Sequence, residues 1–226
     1  MSLIRSFAAA AVLTLSAGAA SAQTAVTYQS SPTNANDGTH YVGPFVGTLQ
    51  TGVGAAQSVT MFCIDVLNQV TFGDSWTANL TSLADAGGSL AATRHPASGD
   101  AQAMTKYRTA AWLTTQFGLT AQDEWSGIQH AIWNLWAPGS YAATSWDAAG
   151  ATAATSNWHG LDFAGFSVLT DVRSVGQAVG GAQEFIVPGV PGGGVGSVVP
   201  EPSTYLLLGT GLVALAGVAR RRRAAA

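Results

Sequence analysis

The stretch that most limits what this chain can fold into is its last apolar run. Residues 203–219 carry no charge and stop against Arg220, Arg221, Arg222 and Arg223. A helix crossing a bilayer core needs roughly 20 apolar residues, with a lower limit of about 17. The run just meets that limit. Arginines beside a span stay on the cytoplasmic side, which puts everything before the run on the opposite side. The amino terminus agrees. Arg5, the apolar residues 8–15 and the small-residue site Ala20-Ser21-Ala22 read as a secretory signal peptide over residues 1–22. What remains to fold after export is about residues 23–199, a length for one domain with an ordinary core.

A plain membrane anchor explains the apolar run and the arginines but not Pro200-Glu201-Pro202 just ahead of them. The three parts in this order, residues 199–223, resemble the PEP-CTERM sorting signal of Gram-negative bacteria. The resemblance implies export, a transient anchor in the inner membrane, processing by an exosortase near Pro-Glu-Pro, and delivery to the cell surface or extracellular matrix. Residues 188–198, rich in Gly, Pro and Val, read as a linker between domain and tail.

Charge narrows the partners. Between the two processed ends lie four basic residues, Arg94, Lys106, Arg108 and Arg173, against eleven acidic ones, which gives the exported part a net charge of −7. An acidic surface is repelled by phosphate backbones, so nucleic acid is not an expected partner. No cofactor is called for either. Gly192-Gly193-Gly194 opens no helix, and the four histidines do not stand at metal-ligand spacing from the one cysteine.

That cysteine, Cys63, rules out an internal disulfide in a compartment where disulfides persist. It is left as a buried thiol, an intermolecular bridge or a reactive group. Around it, residues 23–78 read as strands, with candidates at 45–49, 58–66 and 69–72. The period then changes. Residues 101–117 predict a helix ended by Gly118. Thr120 predicts the N-cap of a second helix, whose apolar face holds Trp125, Ile128, Ile132, Leu135 and Trp136 and which ends at Pro138-Gly139. Residues 139–160 read as loop, 161–175 as holding a short helix, and 183–187 as a last strand. The expected fold is α+β: over residues 23–187, an antiparallel β framework with a helical insert at about 101–136, followed by the linker and a transmembrane sorting helix.

Gln129 stands out on the second helix because its spacing puts it on the apolar face. A buried, unpaired amide costs about 1–3 kcal/mol, so it needs partners. Backbone groups of a neighbouring sheet would be enough. Two motifs suggest more: Phe62-Cys63-Ile64-Asp65 in a predicted strand, and Ile128-Gln129-His130-Ala131-Ile132-Trp133 on the helix. Together with residues 107–113, they resemble a bacterial thioester domain over about residues 61–136. The resemblance implies an internal thioester joining Cys63 to Gln129, formed with loss of ammonia. Phe62, Trp125, Ile132 and Trp133 would shelter the bond from water. An amine or hydroxyl on a surface or matrix target would open it and leave the protein covalently attached, without turnover.

Two other readings stay open. In one the protein is a non-reactive structural component of a matrix or biofilm, with Cys63 a plain buried thiol. In the other Cys63 is the nucleophile of a hydrolase, served by His130 or His159 and by Asp65 or Asp162. That chemistry needs a histidine beside the sulfur and an orienting acid, and no hydrolase signature surrounds Cys63. The expectation is therefore an exported, exosortase-sorted surface or matrix protein that is not an enzyme.

Overall fold

Alternation of apolar and polar side chains sets up the sheet. In β1 (Gln23–Ser30) Thr24, Val26 and Tyr28 are buried while their neighbours face outward, and in β2 (Pro44–Thr51) Phe45, Gly47 and Leu49 do the same. The computed structural model describes residues 23–190 apart from 53, 85–88 and 97. β3 (Gln57–Cys63), β4 (Ser75–Ser82), β5 (Phe166–Asp171) and β6 (Phe185–Pro188) complete the sheet. The six strands close into a barrel in the order β1-β2-β3-β6-β5-β4, with every pairing antiparallel.

Three helices enter the chain between β4 and β5: α1 (Ala103–Gln116), α2 (Trp125–Asn134) and α3 (Ser145–Thr155). β5 is buried at all six positions, as a strand covered on both faces must be. The helical layer ties to the barrel through named contacts. Phe117, at the end of α1, stacks on Phe62 of β3 with ring centroids 5.3 Å apart. Arg108 of α1 donates to the carbonyl of Leu83, just after β4. Behind them lies a polar knot. Glu184 accepts from the Arg94 N–H, the Thr170 hydroxyl and the Tyr107 hydroxyl, while Arg94 Nε lies 3.1 Å from Asp65.

Several sequence expectations change here. The strand expected over 58–66 stops at Cys63. Residues 69–72 form no strand; they lead into a turn in which Asp74 accepts from the Thr71 N–H. Thr120 does not cap α2: its hydroxyl donates to the Gln116 carbonyl, and a short 3-10 turn, Gln122–Glu124, leads into α2 instead. The loop expected over 139–160 contains α3, started by a capping box of Thr144 and Asp147. The short helix expected within 161–175 is β5 between two 3-10 turns. The helical insert thus runs on to Thr155. The first residues of the expected linker are held to the barrel, with Gly189 N–H donating to Gly165 and the Ser167 hydroxyl to the Val190 carbonyl.

Candidate functional site

The apolar face of α2 buries Ile128 and Ile132 completely, and Gln129 with them. Its amide has two backbone partners. Nε2 donates to the carbonyl oxygen of Cys63 at 2.7 Å, and Oε1 accepts from the N–H of Gly43 at 3.3 Å. Strand register explains the pair. Pro44 faces Phe62 across β2 and β3, so the next step of the antiparallel ladder sets Gly43 opposite Cys63. The glutamine amide spans the two strand ends as a backbone peptide group would. This satisfies the cost of burying it.

Gly43 is fixed by its surroundings. Its φ of +93° suits glycine, and a Cβ there would lie 2.6 Å from Cε3 of the Trp125 ring. Trp125, half-buried, also meets Phe117 edge-on.

The Cys63 thiol is itself buried and donates to the Asp65 carbonyl at 3.2 Å. Burial and then the Asp65 charge push it up to about 12, against the opposing pull of the Asp65 carbonyl and the Trp133 indole. The Trp133 Nε1 has no hydrogen-bond partner of ordinary geometry, and its neighbouring sulfur is the group it acts on. Cys63 lines a cavity of about 160 Å³, together with Tyr28, His40, Tyr41, Phe45 and Trp133 among others. Phe72 stacks on Tyr28 and meets Tyr41. Both Tyr41 and Phe72 are exposed, which gives the cavity an aromatic rim.

The four residues expected to shelter the site lie around it in different ways. Ile132 and Trp133 are core, Phe62 packs toward α1, and Trp125 covers Gly43. Sequence reasoning missed a second group. Asp37 accepts from the N–H groups of Thr39 and His40 and pairs with the His130 ring at 2.8 Å. Burial works against its ionisation, but these hydrogen bonds outweigh it and hold the carboxyl below its ordinary value. Tyr141 joins the group, stacked on His130 and 3.0 Å from His40 Nδ1. The signal available was the turn sequence Asn36-Asp37-Gly38-Thr39-His40, an Asx-type turn that carries His40 to the cavity wall.

Of the residues named for a hydrolase, Asp65 meets the sulfur through its backbone carbonyl, and the side chains have other partners. His130 is engaged by Asp37, His159 meets Trp112, Asp65 is held by Arg94 and Asn68, and Asp162 accepts from the Ala164 N–H. Among the described residues, no group of three His, Cys, Asp or Glu side chains could hold a metal ion, and no helix is long and apolar enough to cross a membrane.

The signal peptide at 1–22, the apolar run at 203–219, Pro200, Glu201, Pro202 and Arg220 to Arg223 lie outside the described residues. Neither a curated protein nor a solved structure matches the chain. Residues 198–223 match the PEP-CTERM protein-sorting motif. The chain therefore carries the tail of an exported protein that passes through the membrane toward the cell surface and is processed by an exosortase.

Proposed function

We propose that the exported domain is a covalent adhesin that attaches once through an internal Cys63–Gln129 thioester. The observation that carries this reading is the buried contact between the Gln129 amide and Cys63 across 66 residues of sequence. It brings the aromatic-Cys-aliphatic and the Gln-x-x-aliphatic-Trp motifs to one point. In the proposed reaction the Cys63 sulfur adds to the Gln129 carbonyl carbon. The amide nitrogen then leaves as ammonia and takes the thiol proton. The cavity gives a target amine or hydroxyl a way in on the Cys63 side of the bond, and its lining mixes aromatic side chains with Thr39, His40, Gln69 and Gln183. Attack at the former Gln129 carbonyl returns the proton to Cys63 and leaves the target bonded to residue 129. The nucleophile logic is that of covalent catalysis without a second, releasing step.

A second reading is favoured by one feature of the same contact. Both hydrogen-bonding ends of Gln129 are already used on backbone groups. A glutamine so placed is enough to close the strand ends in a non-reactive matrix protein, with Cys63 a protonated thiol. Intact mass separates the two. The thioester form is lighter by one ammonia and does not react with thiol reagents, and both Cys63→Ala and Gln129→Ala restore the unmodified mass balance. A full-mass protein whose thiol is titrated on unfolding supports the structural reading instead.

A further inference from the structure

We infer that Gly43 is a catalytic residue of this condensation, its backbone N–H serving as the oxyanion donor; this rests on the thioester reading above. Three observations place it there. The N–H lies 3.3 Å from Gln129 Oε1, the atom on which negative charge develops when sulfur adds to the neighbouring carbon. The positive φ that aims this N–H is one that glycine adopts at no steric cost. The face of Trp125 occupies the position of a side chain at residue 43, so the donor is held rigidly against α2.

The step balances as follows. The Cys63 S–H bond breaks as Sγ bonds to Gln129 Cδ, and the carbonyl electron pair moves onto Oε1. The Gly43 N–H then faces an anionic oxygen in place of a neutral one. Its hydrogen bond strengthens in the transition state more than in the ground state, which is the condition for accelerating a reaction. When the C–O double bond re-forms, the C–N bond breaks and the nitrogen departs as ammonia with the thiol proton. Attack by an amine on the finished thioester raises charge on the same oxygen, so one donor serves both steps.

The geometry also explains why Gln129 reacts at its own carbonyl. Its leaving nitrogen points to the Cys63 carbonyl and its oxygen to Gly43, an orientation set by the ends of β2 and β3. A flipped amide would set the carbonyl oxygen against the Cys63 oxygen and lose both bonds.

The test uses the full chain and methylamine as the probe, with capture followed by intact mass. Three forms are compared: the natural chain, a chain with glycolic acid in place of Gly43, which turns that N–H into an ester oxygen, and a chain with D-alanine at 43. D-alanine keeps the N–H, tolerates positive φ and does not aim its Cβ at Trp125. Loss of one oxyanion donor is expected to slow capture by about 10²–10³-fold in the ester form. The D-alanine form should stay within a few-fold of the natural chain. Rates are read below the melting midpoint of the ester form, so that loss of rate is not loss of fold. An ester form that captures methylamine as fast as the natural chain overturns the role of Gly43 while leaving the thioester standing. A D-alanine form as slow as the ester form also overturns it. A natural chain of full mass that captures no methylamine overturns both.

Discussion

Gln129 Nε2 donates to the backbone carbonyl of Cys63 at 2.7 Å, so a helix and a strand 66 residues apart meet through a side-chain amide and a peptide group. The contact is buried on both sides. Removing the amide leaves the Cys63 carbonyl and the Gly43 N–H without this partner, at a cost of about 1–3 kcal/mol for each such buried group. Gln129→Ala should therefore lower the unfolding free energy by at least ~1 kcal/mol in denaturant titration. A change near zero would show that water replaces the amide freely.

Ile132 is fully buried on the same helix face. Ile132→Ala should cost about 2–5 kcal/mol, read from the shift in the denaturation midpoint. A surface-like change, within about 0.5 kcal/mol, would contradict the packing of α2 on the barrel.

Glu184 gives the domain a pH dependence. Burial lifts its carboxyl to about 6 from an ordinary 4.5, although Thr170, Arg94 and Tyr107 all favour the charged form. Between those two pH values the folded protein keeps a proton that the unfolded chain has lost. Stability from this group is thus fully present below about pH 4.5 and declines as pH rises through 6, by on the order of 2 kcal/mol. Chemical denaturation across that window should show the decline, and Glu184→Gln should flatten it. A profile unchanged by the substitution would remove Glu184 as its source.

Asn157, Trp158 and His159 all have positive φ, followed by Gly160. Left-handed backbone costs an ordinary residue roughly 1–2 kcal/mol, and glycine gives back part of that gain through chain entropy. His159→Gly should raise stability by up to about 1 kcal/mol. A loss would mean that the contact of His159 with Trp112 outweighs the strain.

The tail predicts a processed end. Protein recovered from its native host should lack Arg220 to Arg223, and the shortening should depend on Pro200-Glu201-Pro202. A C-terminal peptide still carrying the four arginines in most molecules would leave only an anchor.

The helices were legible where an apolar face or a terminator is written in local sequence. Residues 101–117 and the Trp125–Trp136 stripe held close to α1 and α2 because their 3.6-residue period survives inspection one turn at a time. α3 was missed because it is built from alanine and threonine with little apolar contrast. The Thr144-Ser145-Trp146-Asp147 capping box was its one plain signal. β5 lacked alternation for a physical reason: covered on both faces, it has no polar side to mark the period. At the site, Cys63 and Gln129 could be paired by motif. Gly43, Asp37 and His40 could not, since what brings them there is strand register and a turn, neither of which depends on a distinctive side-chain pattern.

The short seam between β3 and β6 has a mechanical consequence. β6 is four residues long; among the described residues it meets β3 through Phe62↔Ile186 and Cys63↔Phe185, with the Ile64 N–H donating to the Glu184 carbonyl just beyond, and it meets β5 at four positions. A chain held by its tail and bonded to a target at residue 129 would carry tension along the backbone between them, through α3, β5 and β6, because Cys63 is released when the target attaches. The covalent part of that path bypasses β1, β2, β3 and β4, which all precede residue 129. Under pull, the antiparallel pairs of β6 are loaded along the strand, in shear, where their bonds resist together. The pairs that resist are therefore those that β6 makes with β5 and β3, so the last strand of the barrel is the first to bear load.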